Sequence, residues 1–227
     1  MYPLTSQQIE TLRSIDTPTV CNAIEKFKVR GRVEGFMGMD IRCLLPELGV
    51  MVGYAVTVTV DSTTQDAPFD PNGWYKWLKA MEASPKPIVV VFKDVSANPR
   101  KSAHLGEVMA TIAHRMGVVG VVTDGGLRDI VEVKQIGLQC FAAGLVPSHG
   151  NPRLIDVGVP VTVDGVTIHP GDLLHGDANG VTAIPREIAD QVADAANAVR
   201  AEEADLMNFI RGPEFNAESY FKRRFVH

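Results

Sequence analysis

Between residues 51 and 143 the sequence alternates short β-branched runs with segments of helical periodicity, and this alternation constrains the fold more than any other feature. β-Branched runs are typical of strands, and apolar side chains spaced three or four residues apart are typical of helices that bury one face. Strands that alternate with helices form parallel or mixed sheets covered by helices. The sequence therefore predicts an α/β fold.

The individual elements follow from local composition and from turn residues. Helices are predicted over residues 14–28, 74–83, 105–116 and 130–136, and strands over residues 51–60, 88–92, 117–123 and 138–143. The strand 51–60 is expected to be half-buried, the polar segment 93–103 to be a loop, and Asp124-Gly125-Gly126 to be a turn. Later, residues 159–168 predict a hairpin around Asp164-Gly165, and Pro185 is expected to open a helix that ends near residue 210.

Length and composition limit the number of domains and the class of partner. The 227 residues are 45% apolar, which is enough for one large domain over residues 1–227 with a helical extension from about residue 186. The net charge is −5, and no block of basic residues is present that would bind nucleic acid. We therefore expect a small-molecule or protein partner and no nucleic acid.

The sequence contains neither a membrane-spanning run nor a secretory signal nor closely spaced cysteines, and these absences predict its compartment and redox state. The longest apolar runs, such as 87–92 and 117–122, are far shorter than the roughly 20 residues that span a bilayer. Residues 1–10 lack the basic and apolar regions of a secretory signal, so a cytoplasmic location without membrane contact is expected. The three cysteines (Cys21, Cys43 and Cys140) are far apart, which predicts reduced and mostly buried thiols.

Two backbone corners of one βα unit carry the residues best suited to chemistry. Gly106 lies where a loop meets a predicted helix, and free amides in the first helical turn bind carboxylates or phosphates. At the other corner, the strand end presents Asp124, Arg128 and Asp129. An aspartate is a hard oxygen ligand for a divalent metal, and an arginine is a fixed cation for a developing oxyanion. This pairing favours enolate chemistry.

These residues form a pattern that resembles a known family. Gly106-Glu107, followed after twenty residues by Arg128-Asp129-x-x-Glu132, resembles the signature of the 4-hydroxy-4-methyl-2-oxoglutarate and 4-carboxy-4-hydroxy-2-oxoadipate aldolases. The related RNase E inhibitor proteins, in the RraA-like superfamily, share much of it. Further similarity lies in residues 19–23, 53–58 and 157–177, so that the resemblance covers roughly Leu12 to Arg186.

The resemblance implies a fold, an assembly and an activity. It implies an α/β/α swivelling-domain-like sandwich with a mixed sheet, here followed by a C-terminal helical tail. It also implies a homotrimer or homohexamer with sites between subunits. The implied activity is cleavage of 4-hydroxy-2-oxo di- and tricarboxylic acids to pyruvate, together with decarboxylation of oxaloacetate. The implied cofactor is Mg²⁺ or Mn²⁺.

The resemblance also implies a role for each matching residue. Asp129 would be the metal ligand, and Arg128 would hold the substrate and stabilise the enolate oxygen. The pyruvyl carboxylate would be bound by the backbone amides of Gly106, Glu107, Val108 and Met109.

Specificity for the rest of the substrate is predicted from the loops 94–104 and 148–153. The sequence Lys93-Asp94-Val95-Ser96 lacks the acidic, glycine-rich loop that is usual in the family. These loops instead carry cationic or potentially cationic side chains, namely Arg100, Lys101, His104, His149 and Arg153. Such groups suit a second carboxylate, which predicts a preference for dicarboxylic over monocarboxylic substrates.

Four alternative functions are weighed against this one. Lys93 directly follows a buried strand and would serve a Schiff-base aldolase. The six histidines show no zinc-binding spacing, and Gly125-Gly126 does not supply the G-x-G-x-x-G turn of a dinucleotide enzyme. The runner-up is a regulator without catalytic activity that binds a ribonuclease, although retention of Arg128 and Asp129 favours the enzyme.

Overall fold

The centre of the structure, a computed structural model that describes residues 3–226, is a mixed sheet with helices packed against it. The strands are β1 (Arg42–Cys43), β2 (Met51–Asp61), β3 (Ile88–Asp94), β4 (Val118–Leu127), β5 (Gln139–Leu145), β6 (Arg153–Val157), β7 (Val161–Val163), β8 (Val166–Ile168), β9 (Leu173–Asp177) and β10 (Gly180–Ile184). The α-helices are α1 (Ser6–Arg13), α2 (Thr17–Phe27), α3 (Pro71–Ala83), α4 (Glu107–Arg115), α5 (Ile130–Ile136), α6 (Val192–Arg211) and α7 (Ala217–Phe225). The predicted α/β fold with a mixed sheet and a C-terminal helical tail is confirmed.

The topology of the sheet determines where a ligand can bind. The strand order is β1-β5-β4-β3-β2-β9-β10, and β6 pairs with β2 outside this order. Strands β2 to β5 are parallel, whereas β1, β6, β9 and β10 pair antiparallel with their neighbours. The four parallel strands therefore have their carboxyl ends at one edge, where ligands of α/β proteins usually bind.

Alternate residues of the central strands belong to different parts of the core. In β3, Val90 and Phe92 pack in a cluster with residues of α3, α4 and α5, whereas Val89 and Val91 pack in a cluster with the β7–β8 hairpin. The prediction that residues 51–60 form a half-buried strand is wrong in its burial, because nearly all of β2 is buried. Residues of β2 belong to the same two clusters, so β2 is covered on both faces and β-branched residues occupy both of its sides.

Two strands extend further than the sequence predicts. Strand β3 continues through Lys93 and Asp94, and β4 continues through Leu127, so the predicted turn at Asp124-Gly125-Gly126 is wrong. The register of β4 against β5 passes from Thr123 opposite Ala142 to Gly126 opposite Gly144. One extra residue of β4 is therefore accommodated in a β-bulge, which glycines permit without ending the strand.

Helix boundaries are predicted only in part. Helix α5 ends at Gly137 as predicted, since that residue has a φ of 83°. Helix α1 is not predicted, although Thr5 and Gln8 form a capping box at its start. The long helix α6 begins at Val192 and not at Pro185, because tight turns such as the Ile188 N–H to Pro185 O bond precede it.

The predicted hairpin around Asp164-Gly165 and the predicted free thiols are both present. Strands β7 and β8 are joined by Asp164 and Gly165, both with positive φ, as a tight hairpin turn requires. The cysteines are free thiols, with Cys140 buried and Cys21 and Cys43 partly buried. Across residues 3–226, none of the helices has the length and apolar character needed to cross a membrane.

Candidate active site

Backbone hydrogen bonds join the segment before α4 to the end of β4, the two places where the sequence predicts functional residues. The Gly126 N–H donates to Ser102 O (2.9 Å), and the His104 N–H donates to Gly126 O (2.8 Å). The Arg128 N–H then donates to Leu105 O (3.1 Å). The segment before α4 thus pairs with the end of β4 like a short additional strand, and it places the start of α4 beside Arg128.

Gly106 allows this close approach. A Cβ atom at residue 106 would lie 2.5 Å from Oδ2 of Asp129 and 2.9 Å from Nε of Arg128. The φ of Gly106 is −136°, which any residue adopts, so the requirement is for space and not for conformation. Gly106, Arg128 and Asp129 therefore meet at one point, as the sequence analysis expects.

Asp129 is held in an unusual backbone conformation. Its φ of 54° lies in the left-handed region, which non-glycine residues rarely occupy and which is enriched at functional sites. Its Oδ2 atom accepts a hydrogen bond from the Glu107 N–H (3.0 Å) and lies 3.5 Å from Nε of Arg128. The side chains of Arg128 and Asp129 are 36% and 37% exposed, so both are accessible to a ligand.

The first turn of α4 retains donors for an anion. The first intrahelical bond is the Ala110 N–H to Gly106 O (2.9 Å), so the amides that precede Ala110 have no acceptor within the helix. The Glu107 amide, one of the four predicted carboxylate donors, is instead engaged by Asp129. The amides of Val108 and Met109 remain in the first turn, where the helix dipole favours negative charge.

A cavity of about 220 Å³ opens beside these groups. Its lining residues are Trp74, Ala103, Leu105, Gly106, Val108, Met109, Arg128, His149 and Pro152. Its volume is below the roughly 300 to 1,000 Å³ that is typical of drug-sized ligands, so it suits a small metabolite. Arg128 and His149 are its only side chains that can carry charge within the part of the chain described.

Behind the site lies a buried polar network that the sequence analysis missed. Nε2 of His104 lies 2.7 Å from Oδ2 of Asp94, and Nδ1 lies 2.6 Å from Oγ1 of Thr123. The Ser62 hydroxyl donates to the same Asp94 oxygen. Burial alone would raise the pKa of Asp94, but hydrogen bonds from His104, Ser62 and Ser96 outweigh it and lower the pKa to about 2.

Asp94→Asn should lower the free energy of unfolding by about 2 kcal/mol at pH 7, because the native state favours the ionised carboxylate. The folded pKa lies below the ordinary aspartate value of 3.8, so this stabilisation is complete above about pH 4. It should decline as the pH falls from 4 towards 2. Urea unfolding of both proteins at several pH values would measure this convergence.

The matched control for this substitution is Asp156→Asn, which changes an exposed carboxylate on β6. It should alter the free energy of unfolding by no more than about 0.5 kcal/mol. A constant difference between the wild type and Asp94→Asn across the whole pH range would contradict the assigned role of Asp94.

Lys93, the candidate for a Schiff base, and Asp124, the other aspartate near the end of β4, are paired with each other. Nζ of Lys93 lies 2.5 Å from Oδ2 of Asp124, and Oδ1 of Asp124 accepts the Asp94 N–H (2.9 Å). The Lys93 amine would have to break this ion pair before it attacked a carbonyl. The structure thus favours a structural role for both residues at the ends of β3 and β4.

The five loop cations do not converge on the cavity. They are Arg100, Lys101, His104, His149 and Arg153. Arg100 pairs with Asp40 (2.6 Å), Arg153 pairs with Asp61, and His104 is buried in the Asp94 network. Only His149 is among the described residues that line the cavity. Acidic residues of the same chain thus engage Arg100, Arg153 and His104, so this chain alone does not bring the five side chains together at the cavity. The preference for a second carboxylate stays a prediction.

Comparison with known proteins places the chain in a family. Residues 17–183 match the RraA-like family, described as Aldolase/RraA. The chain belongs to the RraA-like family. It is 25% identical to an uncharacterized protein of Methanocaldococcus jannaschii over 213 residues, which is 93% of each chain. It is 34% identical over 128 residues to a Halalkalibacterium halodurans protein with the provisional name 4-hydroxy-4-methyl-2-oxoglutarate aldolase, and this match covers 56% of the chain and 60% of that protein.

Two solved structures share the fold of this chain. An uncharacterized protein from Pseudomonas syringae pv. tomato aligns with a TM-score of 0.76 at 25% identity, over 97% of this chain and 95% of that one. Streptomyces coelicolor RraAS2, described as an unusual member of the RNase ES inhibitor RraA family, aligns with a TM-score of 0.70 at 22% identity, over 93% of this chain and 100% of that one. The fold extends across nearly the whole chain.

Proposed function

We propose that this RraA-like protein is a divalent-metal-dependent pyruvate aldolase, a carbon–carbon lyase that cleaves 4-hydroxy-2-oxo acids and also decarboxylates oxaloacetate. The observation that carries the proposal is the meeting of Arg128, Asp129 and the first turn of α4 beside one small cavity. Membership of the family and the name of the relative from Halalkalibacterium halodurans support it.

The donor chemistry of Asp129 fits Mg²⁺ or Mn²⁺. Mg²⁺ is usually bound through one or two carboxylates and keeps several waters, and the Asp129 carboxylate is partly exposed beside Arg128, which lines the cavity. When bound, such an ion supplies a Lewis acid that polarises the 2-oxo group of the substrate. Asp129 would hold it, and the left-handed backbone fixes the position of that carboxylate.

The remaining groups of the site bind and neutralise the substrate. The amides of Val108 and Met109 would bind the pyruvyl carboxylate at the start of α4. As the C3–C4 bond breaks, its electron pair moves into the enolate of pyruvate, and Arg128 would neutralise the oxyanion. The C4 hydroxyl gives its proton to solvent as C4 becomes a carbonyl, and solvent returns one proton to C3 of the enolate.

We also propose that the protein works as a homo-oligomer, a trimer or hexamer. Exposed apolar side chains lie close to the site in sequence and sheet, with Val108 at 73%, Val131 at 61% and Leu145 at 53%. Apolar side chains that cluster on a surface commonly mark protein interfaces. Their position favours sites near a subunit boundary.

The test of the proposed function is metal-dependent pyruvate release. With oxaloacetate or 4-hydroxy-4-methyl-2-oxoglutarate, we expect turnover with Mg²⁺ or Mn²⁺, loss of at least about 95% of it in EDTA, and recovery when metal is added in excess. Turnover that persists in EDTA and is trapped by borohydride would contradict the proposal and favour a Schiff base on Lys93, for which Lys93→Met is the control variant.

The same assay addresses the regulatory alternative. A protein that only bound a ribonuclease would release no pyruvate from any substrate of the panel. Its Arg128 and Asp129 variants would then behave like the wild type in ribonuclease binding.

A further inference from the structure

His104 contacts β4 on both sides of the bulge in that strand. Its Nδ1 atom lies 2.6 Å from Oγ1 of Thr123, which pairs with β5 before the bulge. Its N–H donates to the carbonyl oxygen of Gly126 (2.8 Å), which pairs with β5 after the bulge. Between these two contacts the imidazole ring lies against Gly125, where a Cβ atom would come within 2.2 Å of Cε1. One residue of the segment before α4 thus contacts β4 before, within and after the bulge.

On the basis of the proposed aldolase function, we propose that His104 is a positioning residue for the reaction. It does not touch the substrate, but it holds Arg128 and Asp129 in place relative to the first turn of α4. The proposal rests on three observations: the contacts of His104 with the bulge, its position in the chain directly before α4, and the support of its ring by Asp94.

The sequence position of His104 links the two halves of the site. Two residues after His104 the chain reaches Gly106, the N-cap of α4. Two residues after Gly126 it reaches Arg128, whose N–H donates to Leu105 O (3.1 Å). A shift of His104 against β4 therefore changes the distance between the α4 amides and the Arg128 guanidinium.

Asp94 fixes the orientation of the imidazole ring. Its pKa is lowered to about 2, so its carboxylate is ionised at neutral pH and accepts the Nε2 hydrogen of His104 (2.7 Å). Nδ1 bonds to the Thr123 hydroxyl as an acceptor in the neutral ring and as a donor in the charged ring, so the link to β4 is present in both states. Asp94 is itself held by hydrogen bonds from the Ser62 hydroxyl and the Ser96 N–H.

This network lies inside one chain. The side chains of His104 and Asp94 are 0% exposed, and Thr123 and Ser62 are equally buried. None of these four side chains is among those that line the cavity. A neighbouring subunit that completed the site would therefore not contact them, so their effect on Arg128 does not depend on how the subunits assemble.

The Thr123 hydroxyl is the point at which the network can be cut. Its Oγ1 atom bonds to His104 and also accepts the Gly125 N–H (3.1 Å). Without it, His104 loses its side-chain bond to β4, and an amide of the bulge loses its acceptor. A misplacement of reacting groups by about 1 Å can lower a rate about a hundredfold, so even a small relaxation of the bulge should be measurable.

The experiment removes this hydroxyl and restores it. Thr123→Val keeps the shape of the side chain without the hydroxyl, and Thr123→Ser keeps the hydroxyl. With oxaloacetate and saturating Mg²⁺, kcat should fall at least about tenfold in Thr123→Val and less than about threefold in Thr123→Ser. The matched control is Thr57→Val, because Thr57 is a fully buried threonine of β2 whose hydroxyl donates to Val159 O (2.6 Å). Its kcat should stay within about twofold of the wild type.

Hydrogen exchange of the metal-free protein, followed by mass spectrometry, separates positioning from a general loss of stability. Peptides that cover residues 124–128 contain two amides bonded to the segment before α4. Their exchange should accelerate at least about tenfold in Thr123→Val and remain unchanged in Thr123→Ser and Thr57→Val. Equal acceleration in peptides of β2 would show a general loss of stability and would overturn the positioning role.

A second pair of variants tests His104 itself and does not depend on the folding of Thr123→Val. The amide of His104→Asn lies near the position of Nδ1 and can keep the bond to Thr123, whereas that of His104→Gln lies near Nε2 and can keep the bond to Asp94. His104→Gln should be the more stable, because the buried carboxylate keeps its donor. His104→Asn should nevertheless have the higher kcat, by at least about fivefold. Equal values of kcat, or the reverse order, would overturn the role of His104.

The failure of this proposal differs from the failure of the aldolase function. A kcat of Thr123→Val within threefold of an active wild type would overturn the positioning role and leave the aldolase function in place. An equal loss of kcat in Thr57→Val would overturn it too, because activity would then follow stability alone. No pyruvate release by the wild type would overturn the aldolase function and, with it, this role of His104.

Discussion

Replacement of Arg128 by lysine should lower kcat/KM for pyruvate release by at least about a hundredfold, equivalent to roughly 2.7 kcal/mol of transition-state stabilisation. The guanidinium is a planar fork that can contact a carboxylate and an enolate oxygen together, and an ammonium cannot reproduce this geometry. Position also matters, because the Arg128 N–H is fixed to Leu105 O (3.1 Å) at the end of β4. A lysine side chain is shorter than an arginine side chain, so from the same fixed backbone position its ammonium would not reach the same point.

The measurement is steady-state pyruvate release at saturating Mg²⁺, with oxaloacetate and one aldol substrate. Arg100→Lys is the matched control, since Arg100 is an exposed arginine that pairs with Asp40 and does not line the cavity. It should change kcat/KM by less than about twofold. A loss below threefold in Arg128→Lys would show that Arg128 supports structure and does not act in the reaction.

Asp129→Asn should abolish metal-dependent turnover and leave the fold intact. Asparagine keeps a side-chain carbonyl that can accept the Glu107 N–H, and asparagine tolerates the left-handed φ of 54°. What it lacks is the anionic oxygen that a divalent ion requires. We expect activity to fall by at least about a thousandfold, whereas the free energy of unfolding should change by less than about 1 kcal/mol.

Two measurements separate metal loss from unfolding in this variant. Mn²⁺ titration followed by electron paramagnetic resonance should show binding to the wild type and at least about a hundredfold weaker binding to Asp129→Asn. Circular dichroism should show the same fold in both. Wild-type affinity and turnover at saturating Mg²⁺ would place the metal elsewhere, and Asp124→Asn would then be the next variant.

Local patterns predicted those parts of the fold that short segments determine. The end of α5 at Gly137 and the turn at Asp164-Gly165 depend on residues that accept positive φ, and both were predicted. The meeting of Gly106 with Arg128 was also expected, because consecutive parallel strands end at the same edge of a sheet.

The features that were not predicted depend on partners distant in the sequence. His104 has the composition of a loop cation, but it is buried because Asp94 and Thr123 lie on two neighbouring strands. Gly125-Gly126 has the composition of a turn, but β5 on one side and Ser102 on the other continue to pair with the chain there. Arg100 is removed from the site by Asp40, which lies sixty residues earlier in the sequence.

The bulge in β4 determines which face of the sheet the residues after it occupy, Arg128 included. Side chains of a strand alternate between its two faces, and one additional residue exchanges the faces for everything that follows. Between Thr123 and Gly126 the chain contains that additional residue, and Arg128 comes two positions later. Loss of either Asp124 or Gly125 would convert the bulge into a regular ladder with Gly126 still opposite Gly144, so Arg128 would remain on its face of the sheet. Loss of both would shift every later residue by one position and turn Arg128 to the opposite face. In this segment a deletion of two residues is therefore more damaging to the site than a deletion of one.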